Sequence, residues 1–266
     1  MTSVDQIRFE APLAGLQRLT ARFGGHAYDL HRHETYAVGL TLWGAQSFHY
    51  RGSLRTSRGG QVMVIHPDEP HDGHAGVDQG FAYRMLYVDP AAVSAALDGA
   101  NPPFVPEVVA DDPALADLLC EAFADFPQPL EPLAQDALIS RLAELLAARG
   151  DGAKPKSSPT ARKAVAQARE FLATEAHRTV SSEALERITG LDRFALARHF
   201  RAAYGTSPHR FQVGRRLGRA REMIADGTPL SQIAAATGFA DQSHLTRHFA
   251  ARFGLTPGRW ATLSRQ

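Results

Sequence analysis

The chain has 266 residues and a formal net charge of +1; with 44% hydrophobic and 21% charged residues it is close to an average soluble protein and long enough for two domains. No stretch reaches the roughly 18 apolar residues of a membrane span, and the N-terminus lacks the continuous apolar core of a signal peptide. With Cys120 as the only cysteine no intramolecular disulfide can form, which fits a reducing cytoplasm.

Short alternating segments between Gly25 and Val88 predict an antiparallel sandwich or barrel. The segments "TYAVGLTL", "AQSFHYRG", "GQVMVIH" and "FAYRMLYV" are rich in Val, Leu, Tyr and Phe. Gly, Asp or Pro separates them at intervals of roughly eight to twelve residues, a spacing typical of such folds. Gly44 is expected to form the turn between the first two segments.

From Pro113 to Arg149 the apolar residues recur at helical spacing. In "AQDALISRLAELLAARG" they form a stripe of leucines at positions 138, 142, 145 and 146. Such a stripe covers the core of its own domain, or it extends into a helix–helix contact between two copies of the chain. Cys120 lies in a similar pattern, where a buried small side chain is expected.

"RGDGAKPKSSPT" (Arg149–Thr160) has the composition of a linker, and the charge changes sign across it. From Thr160 onward 17 basic residues stand against 8 acidic ones, whereas the part before it has 12 basic and 20 acidic residues. We therefore predict a first domain over 1–150, a linker over 151–160 and a second domain over 161–266. A basic block joined to an acidic one indicates that only the C-terminal part faces a polyanion.

Two segments of the helical part repeat each other. "TGLDRFALARHFRAAYGTSP" begins at Thr189 and "TGFADQSHLTRHFAARFGLTP" at Thr237. Each copy reads as a small-residue helix, a glycine turn, an aspartate that can cap and a second helix. This is the layout of a helix-turn-helix. Two aligned copies inside a basic block favour sequence-directed DNA binding over an ordinary exposed helix.

In each second helix an apolar pair at i and i+4 is expected to face the core, which turns the neighbouring residues outward. Arg can pair with guanine O6 and N7, Ser, His and Gln can reach base edges or phosphates, and Phe can contact a thymine methyl. The predicted DNA-contacting residues are Arg193, Phe194 and Arg198 in the first copy and Gln242, Ser243, His244, Thr246 and Arg247 in the second.

Over roughly its last hundred residues the chain resembles the AraC/XylS family of bacterial transcription regulators. Its most specific segment, "PLSQIAAATGFADQSHLTRHFAARFGLTPGRW", is similar to the family's signature almost residue for residue. The resemblance implies two helix-turn-helix units joined by a long helix at about 209–225, with Phe239 and Phe249 in the core. Gly254 and Pro257 would end the second unit. Ala197 stands where the family often has a polar side chain, so the first copy is expected to read fewer bases.

"HRHETYAVGLTLWGAQSFHYRG" and "GGQVMVIHPDEPHDG" resemble the cupin-type sensor domain that precedes the DNA-binding region in many of these regulators. The resemblance implies a small β-barrel whose mouth holds a ligand or a metal. The predicted effector-contacting residues are His31, His33, Tyr36, His71 and Arg84.

The three histidines of this set are also candidates for a divalent metal, because H-x-H on a strand places both rings on one face. Enzymatic cupins supply a glutamate a few residues after that motif, but here only Glu34 is near, on the opposite face. We therefore interpret the histidines as polar groups of the pocket or the barrel wall in preference to a metal site.

These patterns predict an α+β protein of two domains: an N-terminal cupin-like β-barrel with flanking helices and a C-terminal all-α double helix-turn-helix. We expect a cytoplasmic regulator, not an enzyme, that binds double-stranded promoter DNA as a homodimer, responds to a small-molecule effector in the barrel, needs no cofactor and could contact RNA polymerase. A metal-dependent cupin enzyme with a helical oligomerisation tail remains open, as does a nonspecific DNA-compacting protein. Metal analysis would test the first, and competition with unrelated DNA the second.

Overall fold

A computed structural model gives the positions of residues 5–10, 15–150 and 158–264, which form strands in the N-terminal half and helices in the C-terminal half. The strands are β1 (Gln6–Phe9), β2 (Leu16–Phe23), β3 (His26–His31), β4 (Tyr36–Tyr50), β5 (Ser53–Arg58), β6 (Val62–Ile65), β7 (His71–Ala75), β8 (Phe81–Val88) and β9 (Val109–Ala110). The helices are α1 (Pro90–Ala96), α2 (Pro113–Ala122), α3 (Pro132–Arg149), α4 (Pro159–Thr174), α5 (Ser182–Thr189), α6 (Arg193–Tyr204), α7 (Pro208–Ala225), α8 (Leu230–Thr237), α9 (Gln242–Phe253) and α10 (Pro257–Ser264). This order confirms the predicted fold class.

One long strand, β4, belongs to two sheets. Its first half pairs with β8 and β6 in the order β1-β2-β8-β4-β6-β9, and its second half pairs with β5 and β7, while β3 pairs with β7. The prediction of a turn at Gly44 is wrong, because this glycine lies inside the continuous strand. Its φ is +74°, and a Cβ there would lie 2.0 Å from the carbonyl oxygen of Gly80, so the position requires glycine.

Helices α2 and α3 cover the outer face of the first sheet. Leu138, Leu142 and Leu146 are buried there against residues of the same chain, and Leu145 is partly buried in the same cluster. The core-packing interpretation of the leucine stripe is therefore confirmed, and a dimer contact through these leucines is wrong. Cys120 is exposed on α2, so its predicted burial is also wrong.

The interior of the barrel is filled by aromatic side chains. Phe48, Phe81 and Tyr83 are fully or almost fully buried, and the hydroxyl groups of Tyr28 and Tyr83 are hydrogen-bonded at 2.7 Å. These side chains pack against one another, so the interior of the barrel is a hydrophobic core.

The same core continues into the C-terminal half. Leu245 and Phe249 of α9 and Trp260 of α10 belong to the cluster that fills the barrel, and the ring of Trp260 lies 4.4 Å from that of Phe9 in β1. A separate cluster, containing Leu196 and other residues of α4 to α6, holds the first helix-turn-helix. The second unit therefore shares its core with the barrel, and the first does not.

Helices α5 and α6 form the first predicted unit and α8 and α9 the second, with α7 as the connecting helix. The side chains of Asp192 and Asp241 cap α6 and α9, as expected from the repeat. The apolar pairs of both second helices are buried, and so is Phe239.

Most of the predicted linker, residues 151–157, lies outside the described residues. Ser158 caps α4, so the last two residues of the predicted linker, 159 and 160, are already helical. Among the described residues no helix is long and apolar enough to cross a membrane.

Candidate DNA-binding surface and effector cavity

Helix α9 presents polar side chains at its N-terminal end. Gln242, Ser243 and Arg247 are exposed, whereas Thr246 is partly buried. The ring of His244 packs against Phe239 at 5.5 Å, and its Nδ1 accepts a hydrogen bond from the backbone of the turn. His244 therefore also stabilises the turn between the two helices of the unit.

The matching surface of α6 is more apolar. Phe194 is 71% exposed and Arg198 is also exposed, which suits contacts with DNA. Arg193 instead forms ion pairs with Glu186 at 3.1 Å and Glu183 at 3.5 Å, both on α5. Arg193 therefore connects the two helices of its unit, and the predicted DNA contacts stay predictions.

We expect Arg247→Ala to weaken binding to the preferred DNA site by about 1–3 kcal/mol and to relax base preference at one position. The fold should persist, because Arg247 projects away from the buried Leu245 and Phe249. Selection from a randomised DNA pool would measure both effects.

Arg219→Ala is a matched control, because it removes the same charge from an exposed position of α7. It should lower affinity equally for all sequences, as the loss of a phosphate contact does. An unchanged base preference in Arg247→Ala would remove this residue from the recognition surface.

The three predicted histidines come together where β3 ends and β7 begins. His31, His33 and His71 are buried, and one ring nitrogen of each lies within 4.8 Å of those of the other two. Burial holds the pKa of His31 well below its usual value and lowers that of His71 to about 4. Both rings are therefore neutral at physiological pH.

Tyr36 and Arg84 lie elsewhere, on the face of the first sheet that α2 and α3 cover. The hydroxyl of Tyr36 donates to the carbonyl of Pro103 at 2.5 Å, and the Arg84 guanidinium lies over the ring of Phe123. Their assignment to the histidine pocket is wrong, because side chains alternate across a strand and these two point to the opposite face.

A cavity of about 220 Å³ lies between the barrel and the C-terminal helices. Both halves of the chain form its walls, so it lies where the barrel meets the C-terminal helices. Its lining includes Tyr28, His31 and Tyr87 from the barrel and Arg221, Phe253 and Trp260 from α7, α9 and α10.

Among the charged side chains that line this cavity, Arg221 has the most aromatic rings around it. Its guanidinium lies 5.4 Å from the ring centroid of Phe9 and 5.7 Å from those of Phe253 and Trp260, and it donates to the side-chain oxygen of Gln17 at 2.8 Å. Within the described part of the chain no carboxylate forms an ion pair with it. Burial lowers the pKa of Arg221 below its usual value, which indicates a partly desolvated cation.

The barrel and the second helix-turn-helix also meet through the backbone. The N–H of Asp29 donates to the carbonyl of Gly254 at 2.9 Å, and the N–H of Arg32 to that of Ala251 at 3.2 Å. Gly254 ends α9 with φ at +66°, and a Cβ there would lie 2.8 Å from Nδ1 of His31. The end of this recognition helix is therefore seated directly on β3.

Ion pairs add to this contact. Arg252 of α9 pairs with Glu34 at 2.5 Å, and Asp68 pairs with Arg210 of α7. Burial raises the pKa of Glu34 and lowers that of Arg252, so desolvation offsets part of their attraction. The two ion pairs therefore favour this one arrangement of the barrel and the C-terminal helices.

Sequence reasoning missed Arg221 and Tyr87. The alternation in β8 could have identified Tyr87, because Tyr83 and Met85 on the same face are apolar core residues. Arg221 reaches the cavity only because α7 docks against the barrel, and its sequence context is that of an ordinary basic helix.

Two family models match the chain. The AraC-like ligand binding domain matches residues 13–146, and a helix-turn-helix domain matches residues 185–262. The chain belongs to the AraC family of transcriptional regulators. It follows that this AraC-type regulator has an effector-binding N-terminal domain and a DNA-binding C-terminal region.

Relatives of this regulator agree with that assignment. It is 24% identical over 231 residues to the uncharacterized HTH-type transcriptional regulator YbfI of Bacillus subtilis, which covers 84% of both chains. It is 36% identical over 62 residues to the probable transcriptional regulator LumQ of Photobacterium leiognathi, across 23% of this chain and 25% of that one.

Among solved structures, ToxT of Vibrio cholerae has the same fold as this regulator. The TM-score is 0.68 at 10% sequence identity, over 95% of this chain and all of that one. ToxT has also been solved bound to an unsaturated fatty acid and to (E)-4-(8-methylnaphthalen-1-yl)but-3-enoic acid.

Proposed function

We propose that this regulator is a cytoplasmic protein, not an enzyme, whose effector is a small organic anion with an apolar body. The effector binds in the cavity between the barrel and the C-terminal helices. The single observation that carries this proposal is the Arg221 guanidinium, which faces the cavity among aromatic rings with Gln17 as its hydrogen-bonding partner.

A cation that is partly removed from water is costly unless an anion compensates it. Arg is well suited to bind a carboxylate through two parallel hydrogen bonds. The aromatic rings around Arg221 would contact the apolar part of the same ligand, as in most small-molecule sites. Both ToxT ligands are carboxylic acids with apolar bodies, which supports this class of ligand by analogy of fold.

Occupancy of this cavity would act on the DNA-binding region through its walls. A ligand that contacts both Tyr87 of the barrel and Arg221 of α7 binds the docked arrangement better than a separated one, and so shifts the population toward it. The docked arrangement in turn sets how α6 and α9 are presented to two major-groove sites, which lie about 34 Å apart on one face of the DNA.

The remaining parts of this proposal concern assembly and location. We propose domain boundaries at 1–150 and 159–266, a homodimer that recognises paired half-sites on double-stranded promoter DNA, and a contact with RNA polymerase at the promoter. A second DNA-binding region held nearby by the dimer raises its local concentration at the operator. Binding to promoter DNA requires a cytoplasmic location in a bacterium.

The test measures binding of an unsaturated fatty acid and of the corresponding alcohol to the wild type and to Arg221→Met. We expect the acid to raise the melting temperature of the wild type and the alcohol to have little effect. Arg221→Met should lose about 1.5–3 kcal/mol of binding free energy for the acid, the usual contribution of a hydrogen bond to a charged group.

Arg219→Met, an exposed position on the same helix, is the matched control and should bind the acid like the wild type. Equal binding of acid and alcohol, or full affinity in Arg221→Met, would contradict an anionic effector at this site. A shorter aromatic carboxylate tested in parallel would show whether a failure to bind comes from the apolar body of the fatty acid or from its negative charge.

A further inference from the structure

One carboxylate of the barrel lies beside two arginines of the DNA-binding region. Asp68 lies between β6 and β7, and its side chain is only 4% exposed. Its Oδ2 atom forms an ion pair with Nη1 of Arg210, in the first turn of α7. The same oxygen lies 3.9 Å from Nη1 of Arg201, in the last turn of α6. Two guanidinium groups therefore converge on one buried anion of the barrel.

Arg201 belongs to the face of α6 that is predicted to contact DNA. Phe194, Arg198 and Arg201 follow one another at spacings of four and three residues, so they form one stripe along the helix. All three are exposed, whereas Leu196 and Phe200 on the opposite side of the helix are buried. The barrel therefore lies against the C-terminal end of this stripe.

We propose that Arg201 and Arg210 form a binding site for a phosphate group of the DNA backbone, and that Asp68 occupies this site while the barrel is docked. A guanidinium donates hydrogen bonds to a phosphate in the same way as to a carboxylate, so one anion can replace the other. A phosphate contact of this kind positions a protein on DNA without reading its sequence. The docked barrel therefore competes with DNA of any sequence for the first helix-turn-helix.

The two arginines can exchange one anion for the other at little cost. The side chain of Arg201 is 67% exposed and that of Arg210 45%, so a phosphate reaches both from solvent. Nη1 of Arg32, in the barrel, lies 3.9 Å from Oδ1 of Asp68, so this carboxylate keeps a nearby cation when the arginines turn to DNA. The cluster found for the first unit among the described residues contains no barrel residue, so separation from the barrel exposes no shared core.

The experiment measures binding of a fluorescent DNA duplex of arbitrary sequence to the full-length protein at several salt concentrations. Asp68→Asn is the first variant, because Asn also tolerates the φ of +64° at this position and carries no charge. We expect it to bind DNA about fivefold more tightly than the wild type, the upper end of what a partly exposed ion pair contributes.

Arg201→Met/Arg210→Met is the second variant and tests the site itself. It should bind DNA more weakly than the wild type, and its affinity should depend less steeply on salt, because about two phosphate contacts are lost. Adding Asp68→Asn to this variant should bring no further gain, since the carboxylate then has no phosphate site to occupy. Such non-additivity is the expected mark of groups that act on one another directly.

Glu69→Gln is the matched control for Asp68→Asn. It removes the same charge from the next residue, whose ion pair with Arg51 lies within the barrel, and it should bind DNA like the wild type. An equal gain in this control would show a general effect of charge and overturn the proposal. A gain from Asp68→Asn that persists without the two arginines would also overturn it, as would unchanged affinity in a folded Asp68→Asn variant.

Circular dichroism shows whether each variant is folded. If Asp68→Asn unfolds, the decision passes to Arg201→Met/Arg210→Met, whose substituted side chains are partly exposed. A dependence on salt as steep as that of the wild type would then overturn the proposal. Because no effector is used, the result is independent of the anionic effector.

Discussion

Phe249→Ala is expected to destabilise the barrel and the second helix-turn-helix together, by about 3–5 kcal/mol. Phe249 is fully buried in the cluster that also contains the barrel residues Tyr28 and Phe81. Removal of its ring leaves a cavity between the barrel and the second helix-turn-helix, so both should unfold in one transition. Hydrogen exchange measured by mass spectrometry would show faster exchange in β3, β7, α8 and α9 alike.

Phe200→Ala is the matched control, because Phe200 occupies the equivalent position of the first repeat and is equally buried. Its cluster contains residues of α4 to α6 and none of the barrel. The loss of stability should be similar in size but confined to the first unit. Faster exchange in the barrel of Phe200→Ala, or unchanged exchange in the barrel of Phe249→Ala, would contradict a shared core.

Arg18→Met is expected to lower the free energy of unfolding by about 3–5 kcal/mol, the usual result of breaking a buried ion pair. The Arg18 side chain is fully buried and contacts Glu10 at 2.5 and 2.9 Å. It also donates to the carbonyls of Ala122 at the end of α2 and of Gln128 beyond it. The substitution leaves a buried carboxylate without its cation. Urea unfolding would measure the change.

Arg22→Met provides the comparison, because Arg22 lies on the same strand but is exposed and stacks on Trp43. An exposed substitution of this kind usually changes stability by about 0.5 kcal/mol or less. The double variant Arg18→Met/Glu10→Gln should recover part of the loss, since it removes the unpaired charge. A loss in Arg18→Met no larger than in Arg22→Met would show that Arg18 does not hold α2 against β2.

Local rules of helix formation explain the sequence-based predictions that the structure confirms. The repeat, the capping Asp192 and Asp241 and the buried Leu245 and Phe249 all follow from spacing within one helix-turn-helix, and all are confirmed. The convergence of the three histidines follows similarly, because two of them are separated by one residue and the third begins the strand next to β3.

The errors arise where residues far apart in the sequence decide the outcome. Gly44 reads as a turn, but pairing with β8 on one side and β5 on the other keeps the strand continuous. Tyr36 and Arg84 have suitable chemistry for a pocket, but the register of β4 and β8 turns them toward the covering helices. Arg221 acquires its environment from β1 and α10, which no pattern within α7 indicates.

The continuity between the barrel and the second unit limits how regulators of this kind can be recombined. A chimera could join the N-terminal part of one regulator to the C-terminal part of another within 151–157. It would then replace one of the two residues in the contact between Phe9 and Trp260. The new partner would have to match the shape of β1 and β3, and a mismatch would expose apolar surface on both pieces. Exchange of only the first unit, which has its own core, should be tolerated more readily. New DNA specificity is therefore easier to introduce through α6 than through α9.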